Sequence, residues 1–361
     1  MRILELKVED LRILDGLDIN PGTGINFFVG GNGEGKTTLL EAIYLAGRGR
    51  SFRHPMAGPM IRHGKEATTV FVRMVEDGST GNVRSLGVRR SRGGLSCRLD
   101  GKDVDKRSIL AAALPTQWIS SQPQVLLESG PGVRRRFFDM GLFHVEQDYL
   151  SAYAAANRML KQRNAALKSR DHRALVAWDK PFAEAAERLH DYRKPYVESV
   201  VQRLKTLLKA WEVNFSVDGR YRPGWDQDEG LVEQLRRKRE QEFLHGFTQV
   251  GPQRADIEFV SQEVPADRIL SRGQEKLVVF ALNLAQIDEL AERRQVKPIL
   301  LVDDLGAELD ERNRRRLLEE IAARNIQSFV TGIVPPPAIN PEHVAGITMF
   351  HVEHGNATVV N

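Results

Sequence analysis

The sequence predicts an α/β fold: a mixed sheet with helices packed on it, and an inserted, mainly helical arm. Three observations predict it. An apolar strand pattern, Ile25 to Val29, runs straight into a glycine cluster and then into a helical pattern from Lys36 to about Ala46. After Gly251, strand and helix patterns alternate, which indicates a parallel sheet covered on both faces. Between these stretches, from about Glu146 to Glu242, Ala, Leu, Arg, Lys and Glu recur at helical spacing. The expected division is a discontinuous head, residues 1–145 with 246–361, and a helical insertion, residues 146–245.

Composition agrees with that division. A chain of 361 residues suits two domains, or one large domain with an insertion. With 41% hydrophobic and 28% charged residues it has a globular balance, which excludes wholesale disorder. No run of about 18 apolar residues is present, so no membrane span is expected. The charged start MRILELKVED is not expected to be a secretory signal. A single cysteine, Cys97, excludes a disulfide framework and a cysteine-built zinc site, and the expected compartment is a reducing cytoplasm. The net charge is +4, and arginine outnumbers lysine 38 to 14. Arginine makes the bidentate phosphate contacts that lysine cannot, although GC-rich codon usage produces the same bias.

Along the chain, Ile3–Val8 and Ile25–Val29 read as strands, and the helix after Lys36 is expected to stop at Gly47. Thr68–Val75, Leu86–Arg90 and Leu95–Asp100 read as short strands of an antiparallel patch. In the helical stretch, Pro181 and Pro195 are expected to start or interrupt helices, and Phe215–Trp225 breaks the pattern once. A helix from Gln274 to Arg294, a buried strand Ile299–Val302, a charged helix Arg312–Arg324 and a strand Ser328–Thr331 follow. The tail beyond Pro337 reads as a loop and one or two edge strands.

The glycine cluster is the strongest chemical signal. Gly30-Gly31-Asn32-Gly33-Glu34-Gly35-Lys36-Thr37 fits G-x-x-x-x-G-K-[ST] without a mismatch, between a strand and a helix. Glycines let backbone N–H groups turn inward around phosphate oxygens, and the helix N-terminus adds partial positive charge. Lys36 supplies a charge for the β and γ phosphates, Thr37 a hydroxyl for Mg²⁺, and Thr38 completes the ATP-binding run. The strand Ile299–Val302 ends in Asp303-Asp304. Asp303 is the candidate Mg²⁺ ligand, and Asp304 the candidate base or orienter of the attacking water.

A third motif narrows the class. Leu270-Ser271-Arg272-Gly273-Gln274 opens an amphipathic helix, and Ser271 stands 32 residues before Asp303. The segment resembles the signature loop of the ABC ATPase superfamily. That likeness implies that Ser271 and Gly273, with Gln274, approach the γ-phosphate of a nucleotide held by a second subunit. Ala307-Glu308-Leu309-Asp310 resembles the D-loop. Ser271 stands 235 positions after Lys36, too far for a transporter ATPase and too near for the long coiled coil of SMC or Rad50 proteins.

The whole chain resembles the RecF family of bacterial recombinational-repair ATPases. The matching pieces include Leu40–Tyr44, Gly49-Arg50-Ser51-Phe52-Arg53, Ile61-Arg62-His63, Gly130-Pro131 through Arg135-Arg136-Phe137-Phe138-Asp139, Lys161–Leu167, Gly251-Pro252 and Ala255-Asp256. The resemblance implies an ABC-type (Rad50-like) P-loop ATPase head with a short helical arm. It also implies ATP and Mg²⁺ as cofactors, an ATP-dependent homodimer, DNA binding and weak, DNA-stimulated ATP hydrolysis. Family members act with RecO and RecR at single-strand gaps and single/double-strand junctions, helping recombinase loading and the SOS response. A cytoplasmic protein, nucleoid-associated when on DNA, is the corresponding expectation.

The chain departs from the family pattern in several places. Leu11-Arg12-Ile13 replaces Phe-Arg-Asn, and the retained Arg12 is expected at the nucleotide. Ser121-Gln122 replaces Pro-Glu, with Gln122 the expected Q-loop metal ligand. Ala307 replaces the D-loop serine, and Thr331 stands where transporters carry a switch histidine. A threonine is no cationic phosphate sensor, and Asp304 is shorter than the glutamate usual in transporters, so slow turnover is expected.

Base-independent DNA contacts come from arginines on phosphates. The candidate clusters are Arg48, Arg50 and Arg53; Arg89, Arg90 and Arg92; Arg134, Arg135 and Arg136; and Arg236 to Arg239. Arg314 to Arg316 sit among acids and read as surface pairs. The competing readings are a transporter-like motor, a nucleotide-dependent scaffold that does not hydrolyse, and a P-loop kinase. The long gap and the missing histidine oppose the first, the intact Walker residues the second, and the SRGQ segment the third.

Overall fold

The computed structural model describes residues 1–54, 56–76, 82–306, 309–338 and 346–360. Its contacts form two compact units, Met1–Gln122 with Gln295–Asn361, and Pro123–Arg294. The second unit thus joins residues 146–245 with 123–145 and 246–294.

The first unit begins with β1 (Arg2–Leu11), β2 (Leu14–Ile19), β3 (Ile25–Val29), α1 (Lys36–Arg48), β4 (Ala67–Val75), β5 (Val83–Ser91), β6 (Gly94–Leu99), β7 (Lys102–Asp103), α2 (Arg107–Ala113) and β8 (Thr116–Ile119). The antiparallel patch is larger than expected, a six-stranded sheet in the order β2-β1-β4-β5-β6-β7. Alternation sets its buried face: Leu6, Val8, Val70, Val72, Leu86 and Val88 point into the core, and polar neighbours point out.

The second unit holds α3 (Val125–Glu128), α4 (Pro131–Val145), α5 (Tyr149–Lys168), α6 (His172–Ala210), β9 (Asp218–Arg222), α7 (Leu231–Arg237), α8 (Arg239–His245), β10 (Asp256–Ser261), β11 (Val264–Pro265), α9 (Ala266–Ile269) and α10 (Arg272–Arg294). Pro181 and Pro195 lie inside α6 and do not end it. Tertiary packing overrides their local cost: Phe182, Ala186, Leu189, Tyr196 and Val200 are all buried along that helix. The break at Phe215–Trp225 is β9, paired antiparallel with β10. Arg163 fixes the α5–α6 hairpin from inside. Fully buried, it donates to Asp179 at 2.9 Å and to Thr248 at 2.8 Å, and its guanidinium lies 2.6 Å from Glu242, close but poorly aimed for a hydrogen bond.

The chain returns to the first unit with β12 (Ile299–Val302), α11 (Glu311–Ala323), β13 (Ser328–Gly332), β14 (Ile347–Glu353) and β15 (Asn356–Val360). These join β3 and β8 in a second six-stranded sheet, order β15-β14-β3-β13-β12-β8. All its neighbours are parallel except the β14–β15 hairpin. Only β15 of the two tail strands is an edge, because β14 pairs along β3. Helix α1 contacts both sheets, and ten of its thirteen residues are buried. It runs two residues past its predicted end at Ala46: Gly47 is helical and leaves no room for a side chain, since a Cβ there would come within 3 Å of Leu114 and Thr116 atoms, and Gly49, at φ 62°, makes the left-handed cap.

Candidate active site

The site lies in the first unit at the C-terminal ends of β3, β13 and β12, where open parallel sheets gather their ligands. The loop after β3 turns through Gly33 at φ 87° and Gly35 at φ 111°, values that favour glycine. A side chain at Gly30 is excluded as well, since its Cβ would meet the Val352 carbonyl at 2.3 Å. The loop leans on the β14–β15 turn, where the His354 N–H donates to the Glu34 carboxylate at 2.5 Å and the Gly355 N–H to the Glu34 carbonyl at 3.0 Å.

Lys36 folds back over this loop, and its ammonium donates to the Gly30 and Gly31 carbonyls, each at 2.7 Å. Burial pushes its pKa below the ordinary value, against the pull of Asp304 and Asp303. The Thr37 hydroxyl donates to Asp303 Oδ1 at 2.8 Å. Asp303 is almost fully buried, and that burial raises its pKa although Thr37 and Thr331 both donate to it. Among the described residues both hydroxyls fall on Oδ1, which leaves Oδ2 without a protein donor.

Thr331 is the residue that strand order brings in. Because β13 lies between β3 and β12, it stands between the glycine loop and the acids. Val330 is level with Val302, so the next residue, Thr331, is level with Asp303. Its hydroxyl donates to Asp303 Oδ1 at 2.9 Å and accepts the Asp304 N–H at 2.8 Å. Asp304 has φ 51°, a left-handed conformation unusual for a non-glycine residue, and this hydrogen bond holds it there. The cleft around these groups has a volume of about 260 Å³ and takes in Asn32, Gly33, Thr38, Arg53 and Ser121. A hydroxyl and a buried carboxylate 2.8 Å apart, beside a phosphate-shaped loop, are a hard-oxygen donor set that fits Mg²⁺.

Several expected residues stand elsewhere. Arg12 does not line the cleft: its guanidinium is bidentate on Glu41, at 2.6 and 2.9 Å, and it also donates to the Pro59 carbonyl. Glu41 is fully buried and also accepts the Ser51 hydroxyl. Gln122 is exposed and outside the cleft, and Ser121 lines it instead. Arg53, expected on DNA, points into the cleft. Phe52 anchors that segment by stacking on Trp118 at 3.8 Å, with Tyr44 edge-on at 5.3 Å. Burial lowers the Arg53 pKa, partly offset by Glu41 at 3.8 Å.

Ser271 and Gln274, in the second unit, form a reciprocal cap at the start of α10. The Ser271 N–H donates to Gln274 Oε1 at 2.9 Å, and the Gln274 N–H to Ser271 Oγ at 3.3 Å. Ser271 is exposed and Gly273 half-buried. Ala307 and Glu308 lie outside the described residues.

Two DNA candidates are structural. Arg48 is buried and donates to the Thr116 hydroxyl at 3.1 Å and its carbonyl at 2.5 Å, with burial pushing its pKa down to about 10. Arg134 is bidentate on Asp256, both contacts at 2.8 Å, and also binds two carbonyls. Arg50, Arg89 and Arg92 are exposed and Arg90 half-buried, all without an ion pair among the described residues. In the 236–239 run, Arg237 pairs with Glu229 at 2.7 Å and Arg239 with Asp179 at 2.8 Å. Arg315 pairs with Glu311 at 3.1 Å, as a surface pair should.

Among the described residues no helix is long and apolar enough to cross a membrane. The chain is 37% identical over 362 residues to the DNA replication and repair protein RecF of Shewanella piezotolerans, and 38% identical over 365 residues to the same-named protein of Stenotrophomonas maltophilia. Each alignment covers all of both chains. A solved structure of the recombination mediator protein RecF-ATP in the RecFOR pathway shares the fold, with a TM-score of 0.86 at 23% identity over 99% of this chain and 97% of that one. The RecF/RecN/SMC N-terminal domain family matches residues 2–355, and with end-to-end relatives of this identity the chain belongs to the RecF family.

Proposed function

We propose that this chain is an ATP-dependent DNA-binding ATPase of replication and recombinational repair. The observation that carries the reading is the Thr37–Asp303–Thr331 constellation beside Lys36, on a chain of this family. In this reading Lys36 leaves the Gly30 and Gly31 carbonyls for the β and γ phosphates, and the loop amides bind the remaining oxygens. Thr37 and Asp303 hold Mg²⁺, which when bound neutralises phosphate charge. Asp304, held by Thr331, orients or deprotonates the attacking water. Arg53 faces the phosphates.

Ser271 and Gly273 complete the site of a second copy, so ATP closes a homodimer on DNA and slow, DNA-stimulated hydrolysis releases it. Functionally, the head takes residues 1–145 with 246–361, and 146–245 serves as the arm. Action at gaps and junctions with RecO and RecR, support of recombinase loading and the SOS response, and a cytoplasmic, nucleoid-associated location belong to the same reading. Its support is the name and full-length similarity of the relatives.

The experiment is fluorescence anisotropy of a labelled gapped duplex, with and without Mg·ATP, for the wild type and Lys36→Met. The expected result is that Mg·ATP tightens binding and that Lys36→Met loses the gain. DNA binding indifferent to ATP, or rapid ATP turnover without DNA, would favour a motor or scaffold instead.

A further inference from the structure

The second unit contains a cleft of about 250 Å³ formed by α4, α5, α6 and the turn at Pro252. Its charges do not balance. Asp139, the one carboxylate in its wall, is already engaged by Arg193 through two contacts at 2.8 Å and by the Tyr149 hydroxyl at 2.6 Å. Arg135 is half-buried and reaches only a neutral acceptor, the Ala255 carbonyl at 2.5 Å. Arg136 is exposed and has neither an ion pair nor a hydrogen bond among the described residues. The adjacent Arg134 differs, because Asp256 neutralises it.

The two unneutralised guanidinium groups converge. A Cβ placed on Gly132 would lie 3.7 Å from a terminal nitrogen of Arg135 and 3.8 Å from one of Arg136. Among the described residues neither guanidinium has an ion-pair partner, so an anion placed over Gly132 would lie beside both. Burial, and then Arg193, hold Arg135 below its ordinary pKa against the pull of Asp139 and Asp256. The neighbouring wall is a different surface: Tyr153, 39% exposed, lines the cleft beside Asn157, its ring 6.2 Å from that of Tyr149. Two guanidinium groups and an exposed aromatic side chain in one cleft match a phosphodiester followed by an unpaired base. In a duplex the faces of the bases are stacked away and do not reach such a wall.

We infer that this cleft is a subsite for a single nucleic-acid strand, with one backbone phosphate between Arg135 and Arg136 over Gly132 and the adjoining base stacked on Tyr153. The inference rests on the DNA-binding reading and adds to it a location and a preference for unpaired strand.

The test is anisotropy of a labelled 20-nucleotide oligothymidylate and of a blunt duplex of the same length, titrated with the full chain over a range of salt. Arg136→Ala should weaken strand binding and lower the slope of log K against log salt by about 0.7, the share of one single-strand phosphate. Arg136→Lys should restore most of that slope. Tyr153→Ala should weaken strand binding at least about five-fold, the low end for a lost stack, and leave duplex binding unchanged. Lys180→Ala, an exposed change elsewhere in the unit, should leave both unchanged. If the wild type binds the strand and Arg136→Ala and Tyr153→Ala bind it equally well, the subsite is wrong. It is also wrong if Tyr153→Ala weakens duplex binding as much, or if Lys36→Met retains a fluorescent ATP analogue that Arg136→Ala then removes, since the phosphate would be a free nucleotide's. A wild type that binds neither DNA sinks the DNA-binding reading itself.

Discussion

Replacing Thr331 with valine keeps the side-chain shape and removes two hydrogen bonds at once. The donor to Asp303 at 2.9 Å is a bond to a buried carboxylate, worth about 1.5–3 kcal/mol. The acceptor for the Asp304 N–H at 2.8 Å also goes, and leaving that half-buried N–H unsatisfied costs about 1 kcal/mol, the low end for such a group. The added methyl returns about 0.8 kcal/mol. The expected net loss is about 2–3 kcal/mol, a urea midpoint lower by about 1 M. Cys97 offers the assay. It is the only cysteine, it lies buried in the same unit, and burial raises its thiol pKa, so pulsed thiol labelling in urea reports that unit's opening. ATP hydrolysis should fall at least about ten-fold, because Asp304 is no longer held at φ 51°. Thr331→Ser keeps the hydroxyl and should stay near wild type in both assays. A valine variant that labels and hydrolyses like the serine variant would refute the bridging role.

Arg163→Met leaves Glu242 buried without a cation, and should destabilise the second unit by about 3–5 kcal/mol in urea unfolding. Adding Glu242→Gln should recover about 2 kcal/mol of that, and no recovery would mean that packing, not charge, dominates at Arg163. His190, stacked on Tyr221 at 5.6 Å, is held below its ordinary pKa by burial. Its neutral native ring binds fewer protons than the unfolded chain, so its stabilisation is present above pH about 6.5 and is lost as pH falls through the folded value. Urea midpoints at pH 8 and pH 5 should converge in His190→Gln, and an unchanged gap would assign the acid sensitivity to other groups.

Much of the first unit was legible because its signals are local. An all-apolar run ending in a glycine loop and a helix needs no distant partner to be recognised, and β3 matches its predicted bounds. The same holds for β12, which reads as a buried parallel strand from four residues. Element ends were less legible: α1 passes Gly47 because that glycine packs closely against Leu114 and Thr116, and Gly49 is the residue that turns left-handed. Prolines 181 and 195 read as breaks, yet a buried face along α6 outweighs their local cost.

For the site, the sequence by itself determined which groups were available: a phosphate loop with Lys36 and Thr37, two acids on a strand tip, and an excess of arginine. Only the tertiary structure decided where each group acts. Strand order β3-β13-β12 made Thr331 the bridge between loop and acids. Stacking of Phe52 on Trp118 sent Arg53 to the cleft, and Glu41 held Arg12 away from it. Arg134, Arg135 and Arg136 are identical letters in a row, yet among the described residues only the first forms an ion pair. The reason is physical: backbone preference is set by near neighbours, whereas a buried charge is governed by whichever partner the fold brings across from far along the chain.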